Sequence, residues 1–385
     1  MKPSLPSQAS AANRLNPDSN PIVLVLQGGG ALGAYQAGVF EALHENDLVP
    51  DWIVGTSIGA INAALIAGNP QETRLQRLKE FWQRVSPGNG IDMASMPDQA
   101  RKANISVATL GTMMRGVPGF FSPRVFSPFA AGFPVQPDDA SFYETRELAG
   151  TLKELVDFDY LNADGGMRLT VNALKVTCGE LASFDNRERD LGPEHILASG
   201  ALPPGFPPVR IDGDLYWDGG LYSNTPLETV LNDQPHANAL CFMVDLWSAH
   251  GEEPRTLDEV QTRQKDVMFA SRSMRHIDAY LETHKLQRAL RDLYKRLPAK
   301  QKTASDKQLL SALGCDTTLH IVRIPYAGQD WHMAAKDINF SRGSIEWRWE
   351  QGYRDGSRAI KQAGWLANVS EETAVVIHEL APEQR

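Results

Sequence analysis

Two short apolar runs near the beginning of the chain are each followed by small residues and then by a helical pattern. Ile22–Leu26 and 52–54 are continuous runs, typical of strands that are buried on both faces. After the first run, apolar positions at helical spacing predict a helix over 34–44. After the second run, a segment rich in small residues predicts another helix, which ends at Ala67. This order predicts a βαβ unit with parallel strands and a right-handed crossover.

The rest of the chain adds short apolar runs at longer intervals. They predict strands or a hairpin at 168–176, 211–216, 241–244 and 319–324. The last of these is expected to return to the main sheet. A long helix or a bent pair of helices is predicted at 256–297, whereas 86–140 is rich in Met and Phe without a sustained period, so no regular structure is predicted there.

Composition and charge exclude several classes of protein. The chain has 385 residues, 42% of them hydrophobic, which is enough to bury a core without disulfides or metals. No apolar run approaches the roughly 18 residues that a membrane-spanning helix needs. The net charge of −9 argues against a general nucleic-acid partner. Cys178, Cys241 and Cys315 are too few and too widely spaced for a disulfide framework or a zinc site.

The first twenty residues are rich in Ser, Pro, Asn and Ala and contain no apolar core of the kind a secretory signal carries. We therefore expect 1–20 to be a disordered lead-in and the protein to be cytoplasmic.

The second glycine-rich loop contains a candidate nucleophile. Gly55-Thr56-Ser57-Ile58-Gly59 matches G-x-S-x-G, in which a serine stands on a sharp turn between a strand and a helix. The flanking residues Gly55 and Gly59 allow the backbones to approach closely, and the helix directs its positive end toward the serine oxygen. The predicted strand before Ser57 and the predicted helix after it supply the context that this motif requires.

The first glycine-rich loop can serve the same reaction. Gly28, Gly29 and Gly30 present consecutive amides at a helix start, and Gly33 completes the loop. If the two strands are neighbours, these amides face the negative oxygen of a tetrahedral intermediate at Ser57. The loop also satisfies G-x-G-x-x-G, so a dinucleotide-binding protein is an alternative. That alternative is less favoured because Asp51, the nearest acid, precedes the second strand instead of ending it.

A serine nucleophile also needs a proton acceptor, and two Asp-Gly-Gly sequences are candidates. Asp218-Gly219-Gly220 follows an aromatic run that would desolvate the carboxylate, whereas the sequence beginning at Asp164 lies in a polar loop where a turn explains it. Asp212 and Asp214 flank the hairpin turn and are expected to be structural. His195 is the best candidate for a Ser-His-Asp triad, but a lone loop histidine is more often structural.

Four blocks of the sequence together resemble the patatin-like phospholipase family. They are the Gly28-Gly29-Gly30-Ala31-Leu32-Gly33 loop, the turn around Ser57, the proline-rich block at 199–208, and Asp218-Gly219-Gly220 followed by Asn224-Thr225-Pro226. Many members carry Arg where Leu32 stands here, so a cation near an anionic headgroup is missing from this loop.

The resemblance implies an α/β fold, a three-layer sandwich with a mainly parallel central sheet, and a helical C-terminal extension. It implies a catalytic domain at 21–250 and an extension at 251–385, which we expect to pack on the same fold. The Met- and Phe-rich segment within 91–140 is interpreted as a lid or acyl-chain wall, because soft Met and rigid Phe side chains suit a variable alkyl chain; cover for the apolar face of the sheet is the alternative interpretation. It further implies a Ser57–Asp218 dyad with Gly28, Gly29 and Gly30 as the oxyanion hole. The expected activity is hydrolysis of lipid-like carboxylic esters without metal or cofactor. The alternative is a non-catalytic acyl-lipid-binding or scaffold protein of the same fold.

The extension carries a local excess of positive charge. Seven bases and one acid lie between Lys285 and Lys302. Peripheral contact with an anionic membrane is one interpretation, and a solvated helix face is the other. The bases assigned to membrane contact are Lys285, Arg288, Arg291, Lys295 and Arg296.

Overall fold

The computed structural model describes residues 21–86, 88, 98–124, 132, 134–233, 239–270, 273–306, 308, 319–327, 334–362 and 375–380. The strands are β1 (Ile22–Leu26), β2 (Trp52–Gly55), β3 (Ser122–Pro123), β4 (Tyr143–Glu144), β5 (Arg168–Lys175), β6 (Leu181–Asp185), β7 (Val209–Ile211), β8 (Asp214–Asp218), β9 (Ala239–Asp245), β10 (Leu319–Pro325) and β11 (Val375–Glu379). The predictions made for 1–20 and for Cys315 fall outside the described residues.

The α-helices are α1 (Gly33–Glu45), α2 (Ile58–Ala67), α3 (Gln71–Arg84), α4 (Asp98–Arg115), α5 (Arg146–Leu155), α6 (Phe158–Leu161), α7 (Pro193–Ser199), α8 (Leu227–Leu231), α9 (Leu257–Phe269), α10 (Ser273–Arg296) and α11 (Arg342–Gln362). Within the described ranges, none of them is both long enough and apolar enough to span a membrane.

The central sheet has the strand order β11-β10-β9-β1-β2-β5-β8-β7, and β6 pairs with β5. All neighbours from β11 to β5 are parallel, whereas β6, β7 and β8 join through antiparallel pairs. The parallel strands read as continuous apolar runs because helices cover both faces of the sheet.

Alternate side chains of β1 point to opposite faces of the sheet and enter two separate clusters. Leu24 and Leu26 pack with residues from α1, α2, α3 and α11. Val23 and Val25 pack on the other face with residues from α8 and α10, among them Ile277. Helices, sheet and helices thus form three layers, which confirms the predicted fold class.

Most of the predicted elements are present. β1 and β2 are parallel neighbours with helices after them, and β7 and β8 form the hairpin around Asp212-Gly213. The stretch at 256–297 forms the two helices α9 and α10. β10 pairs with β9, so the late strand lies in the main sheet as expected.

The prediction of no regular structure over 86–140 was wrong. The 18-residue helix α4 occupies part of this segment. Its apolar residues lie on two faces: Ile105 is buried, whereas Val107, Leu110 and Met114 are exposed. A helix with apolar residues on both faces lacks the single period on which a sequence-based assignment depends.

Helices α1 and α11 join the C-terminal part of the chain to the βαβ unit by very close packing. A Cβ atom on Gly38 would lie 1.9 Å from the carbonyl oxygen of Trp349, and one on Gly352 would lie 1.9 Å from that of Tyr35. The hydroxyl of Tyr35 also donates to Asp355 at 2.8 Å. These glycines let two helix backbones touch, a contact that side chains would prevent.

We therefore predict that Gly352→Ala lowers the free energy of unfolding by about 1–3 kcal/mol, because the added methyl group forces the two helices apart. Equilibrium denaturation by urea measures this change. Gly150→Ala is the matched control, since Gly150 lies within α5 and an added Cβ meets nothing within 4 Å. It should stabilise the protein by up to about 1 kcal/mol. Equal effects of the two substitutions would contradict the packing argument.

Candidate active site

Ser57 stands on a sharp turn between β2 and α2. Its backbone has φ 58° and ψ −123°, a conformation that non-glycine residues rarely adopt. A Cβ atom on Gly55 would lie 2.5 Å from the Gly59 carbonyl oxygen, and one on Gly59 would lie 2.3 Å from that of Leu26. The two glycines of the G-x-S-x-G motif therefore permit the turn that exposes Ser57. Its amide donates to the Ser199 hydroxyl at 3.0 Å, which anchors the turn to α7.

Sheet register brings Asp218 to the same level as Ser57. Gly55 pairs with Val171 of β5, and Asp218 pairs with Ala173, two residues further along that strand. β6 pairs with 170–174 along one edge of β5, so β2 and β8 follow one another along the other edge. Ser57 lies two residues beyond Gly55 and therefore comes next to Asp218 where β8 ends. The Ser57 hydroxyl and the Asp218 carboxylate form a side-chain hydrogen bond.

The Asp218 carboxylate is deeply buried, and it has no cationic partner among the residues that the structure describes. Its residue is only 2% exposed, and burial raises its pKa to about 7. Hydrogen bonds from the Ser57 hydroxyl and from the Gly220 amide, the latter at 2.7 Å, act in the opposite direction and lower the pKa. No lysine or arginine within the described ranges forms an ion pair with it. A carboxyl group with a pKa near neutrality can both accept and return a proton.

The glycines after Asp218 are also set by close contacts. A Cβ atom on Gly219 would lie 2.4 Å from the Asn172 carbonyl oxygen of β5. One on Gly220 would lie 2.7 Å from Oδ1 of Asn224 and 3.0 Å from Oδ1 of Asp218. Side chains at either position would therefore displace the carboxylate or the strand beside it.

The first glycine loop lies beside Ser57, as expected from neighbouring strands. A Cβ atom on Gly28 would lie 3.1 Å from that of Ser57. Gly33 lies against the residue after the serine, since its Cβ would come within 2.4 Å of the Ile58 side chain. Gly30 has φ +54°, and a Cβ atom on it would lie 2.3 Å from the carbonyl oxygen of Asp337.

The three glycine amides of this loop are not equivalent. The Gly28 amide donates to the Asn224 carbonyl at 3.0 Å, so it is occupied in this structure. In the described part of the chain, no hydrogen bond uses the amides of Gly29 or Gly30. Of the three predicted oxyanion donors, Gly29 and Gly30 are therefore the ones open to a ligand.

Two side chains fix the peptide between Gly28 and Gly29. The Gly28 carbonyl accepts from the Trp247 indole Nε1 at 2.7 Å and from Nδ2 of Asn224 at 3.1 Å. Because the carbonyl and amide of a trans peptide point in opposite directions, these two donors also orient the Gly29 amide. The sequence analysis missed Trp247, although its position just after β9, the neighbour of β1, places it beside this loop.

An apolar cavity of about 350 Å³ opens onto Ser57 and Asp218. Aromatic contacts build its wall: the rings of Phe121 and Phe206 are 5.2 Å apart, and those of Phe120 and Phe340 are 5.5 Å apart. Other apolar residues that line it are Ile61, Met113, Leu148, Leu202 and Ile338. The Met- and Phe-rich segment thus contributes directly to the cavity, while 89–97, 125–131 and Phe133 fall outside the described residues.

The competing candidates lie elsewhere or are otherwise engaged. His195 is buried in α7, accepts from the Gly192 amide at 2.9 Å, and is not among the residues that line the cavity. Asp164 lies exposed in a turn. Asp212 pairs with Arg189 at 2.6 Å, which lowers its pKa, and Asp214 pairs with Lys175. Among the described residues, no three His, Cys, Asp or Glu side chains form a metal-ligand cluster.

Comparison with known proteins identifies the family. The family model described as "Patatin-like phospholipase" matches residues 24–231, which is more than half of the chain. The chain belongs to the patatin-like phospholipase family. A second model, described as "Patatin phospholipase", matches residues 267–372, so the C-terminal part also resembles proteins of this kind.

Individual relatives each match part of this chain. Patatin-like phospholipase domain-containing protein 7 of Rattus norvegicus is 28% identical over 210 residues, 54% of this chain and 12% of the relative. Triacylglycerol lipase ptl3 of Schizosaccharomyces pombe is 37% identical over 78 residues, 20% of this chain and 16% of the relative. The chain thus covers less than a fifth of either relative. The crystal structure of VipD from Legionella pneumophila aligns with 89% of this chain and 67% of its own, with 14% identity and a TM-score of 0.39.

The raised pKa of Asp218 predicts a specific pH dependence of stability. The folded protein keeps a proton on Asp218 up to about pH 7, whereas an unfolded aspartate releases it near pH 4, so this group makes stability fall as pH rises between those values. Asp218→Asn removes the buried charge. We expect the melting temperature of this variant, measured relative to wild type, to increase as pH rises from about 4 to about 7 and to change little above pH 7.

Asp245→Asn is the control for this experiment. Asp245 is also buried, but it pairs with Arg323 at 2.6 Å, so its replacement removes the buried half of an ion pair and leaves Arg323 with Glu379 alone, which should lower the melting temperature. A melting-temperature difference between Asp218→Asn and wild type that does not change with pH would show that Asp218 is ionised throughout this range.

Proposed function

We propose that this protein hydrolyses lipid-like carboxylic esters through an acyl-enzyme intermediate on Ser57. The observation that supports this most strongly is the hydrogen bond between Ser57 and the buried, cation-free Asp218 at the end of an apolar cavity. A strained serine, an adjacent base and an acyl-sized apolar space are the parts that nucleophilic ester hydrolysis needs.

In acylation, Asp218 takes the proton from the Ser57 hydroxyl while the oxygen attacks the ester carbonyl carbon. The tetrahedral intermediate collapses, the bond to the alcohol breaks, and Asp218 returns the proton to the departing alkoxide. In deacylation, Asp218 takes a proton from water as the water attacks the acyl carbon, and Ser57 leaves with that proton. One carboxyl group thus serves as base and then as acid in both halves of the reaction.

We assign the oxyanion hole to the amides of Gly29 and Gly30 in place of all three predicted glycines. The Gly28 amide is engaged by Asn224, whereas the Gly29 amide is oriented by the donors that hold the Gly28 carbonyl. Ser57 also stands at the N-terminus of α2, where the helix dipole favours developing negative charge.

The cavity favours an uncharged acyl chain. Phe120, Phe121 and Met113 come from the segment predicted to be a lid or acyl-chain wall, and we propose that they serve as that wall. Among the described residues that line the cavity there is no lysine, arginine or histidine. Leu32, which stands where many family members carry Arg, is buried in the core and would not reach a headgroup. The apolar lining without cations therefore favours a substrate preference that depends on the acyl chain of the ester more than on an anionic headgroup.

A substrate held in a lipid aggregate requires the protein to reach the lipid surface. The bases predicted from the sequence to make that contact lie on or next to the last three turns of α10. We include this peripheral membrane contact in the proposed function. The side chain of Arg288 falls outside the described part of the chain.

The dyad is tested by matched substitutions, with hydrolysis of p-nitrophenyl esters as the measurement. Ser57→Ala should abolish turnover and labelling by a fluorophosphonate, and Asp218→Asn should lower kcat by about 10²–10⁴-fold. Ser248→Ala and Asp164→Asn are the controls, because both residues are exposed and lie outside the cavity. A Ser57→Ala protein that still labels, or an Asp218→Asn protein with wild-type turnover, would refute the assignment. Normal folding without any turnover in wild type would favour a non-catalytic acyl-lipid-binding role.

The oxyanion assignment predicts a kinetic effect of a residue that does not touch the substrate carbonyl. Trp247→Phe removes one donor to the Gly28 carbonyl, so the Gly29 amide is less firmly oriented. We expect kcat to fall roughly tenfold while KM stays within about twofold.

Trp52→Phe is the control for this loss, because Trp52 is also buried and also loses an indole hydrogen bond, that to Thr170 at 2.8 Å. If both substitutions lower kcat equally, the effect of Trp247 is on stability and the orienting role is wrong.

A further inference from the structure

The outer half of α10 carries a row of exposed leucines. The first half of the helix packs on the sheet through Ile277, Tyr280 and Leu281. In the C-terminal half, large apolar side chains are exposed to solvent. They are Leu286 (68% exposed), Leu290 (49%), Leu293 (60%) and, just after the helix, Leu297 (40%).

These leucines share one face of the helix. Successive leucines are four, three and four residues apart. At 100° per residue, this spacing places all four within roughly 60° around the helix axis, and they extend over about 16 Å along it. Lys285 and Arg296 lie along one edge of this face, roughly 100° from its centre, while Arg291 and Lys295 lie on the opposite side of the helix. The outer half of α10 is therefore an amphipathic helix with a leucine face and a basic polar face.

We propose that this outer half of α10 docks flat on an anionic lipid surface, with its leucines inserted among the acyl chains. An exposed leucine face combined with lysine and arginine on the polar side is the pattern of helices that lie in a membrane interface. Lys285 and Arg296, at the edge of the leucine face, meet anionic headgroups, so charge complementarity and apolar burial act together. The surface pair between Lys285 and Glu282, at 2.8 Å, is exposed and contributes little against this attraction.

A second copy of the chain is the rival occupant, because the same leucine spacing also occurs in coiled coils. Pairing two copies through this face would bring two strongly basic helices together, whereas an anionic bilayer neutralises them. The charge on the polar face therefore favours lipid. This docking surface rests on the peripheral membrane contact of the proposed function and specifies it. It lies outside the Ser57–Asp218 site, and its test does not depend on hydrolysis.

The experiment measures binding to vesicles in a Ser57→Ala background, so that the lipid stays intact. The full chain is sedimented with vesicles of equal parts phosphatidylglycerol and phosphatidylcholine, and with vesicles of phosphatidylcholine alone. We expect binding to the mixed vesicles that weakens with added salt, and weak binding to the neutral ones. Replacing Leu286, Leu290 and Leu293 with Ser should lower the partition constant at least about tenfold.

Two further variants make the outcome specific. Leu257→Ser is the matched control, because Leu257 on α9 is 83% exposed and lies outside the docking face; its binding should equal that of the parent. Lys285→Glu with Arg296→Glu keeps the leucines and should weaken binding to the anionic vesicles with a shallower salt dependence. With Ser57 restored, all of these variants should keep wild-type hydrolysis of a soluble ester, which shows that they fold.

Absence of binding to the anionic vesicles by the parent protein would overturn the proposal. So would equal binding by the leucine variant and the parent. A dimer in sedimentation that the leucine substitutions convert to a monomer, without vesicle binding, would show that a second copy covers this face.

Discussion

The Asp218 carboxylate is buried with no neighbouring cation in the described ranges, and this is the constraint around which the site is organised. Removing a charge from water is costly unless a partner compensates it, and here the hydrogen bonds come only from Ser57 and the Gly220 amide within the described part of the chain. A protein selected for stability alone would place an apolar residue at this position. The carboxyl group instead has a pKa near 7, poised to exchange a proton with its single hydroxyl neighbour.

Holding that pair together requires backbones to approach more closely than side chains allow. Gly59 lies against Leu26, Gly219 against Asn172, and the Gly28 loop against Ser57. These contacts link the loops that carry the site to the ends of β1, β2, β5 and β8. Trp247 and Asn224 then fix the one peptide that a flexible glycine loop could otherwise rotate.

Sequence reasoning was effective where structure is determined locally. The apolar runs of β1 and β2 and the spacing of Gly55, Ser57 and Gly59 encode strand, turn and helix within a few residues, and the structure has the predicted elements there. The α4 helix was missed because its exposed apolar face blurs the helical period. The helix α11 and its contact with α1 were missed because Gly38 and Gly352 are 314 positions apart, and nothing in either stretch alone shows that they meet.

The same distinction applies to the oxyanion loop. Three glycines in a row indicate available amides, but which amide is free depends on Asn224, almost two hundred residues away. Likewise, the charge of 285–302 was visible in the sequence, whereas the exposure of its leucines depends on where α10 leaves the sheet. Charge and spacing are properties of the chain, and exposure is a property of the fold.

The most direct test of the central claim is to trap the acyl-enzyme. Protein mixed with a long-chain p-nitrophenyl ester and quenched in acid within the first turnover should show, by intact-mass spectrometry, one added acyl group per chain. Peptide mapping should place that group on Ser57. Turnover without any covalent adduct under these conditions, or an adduct on another residue, would contradict the proposed chemistry of Ser57 and Asp218.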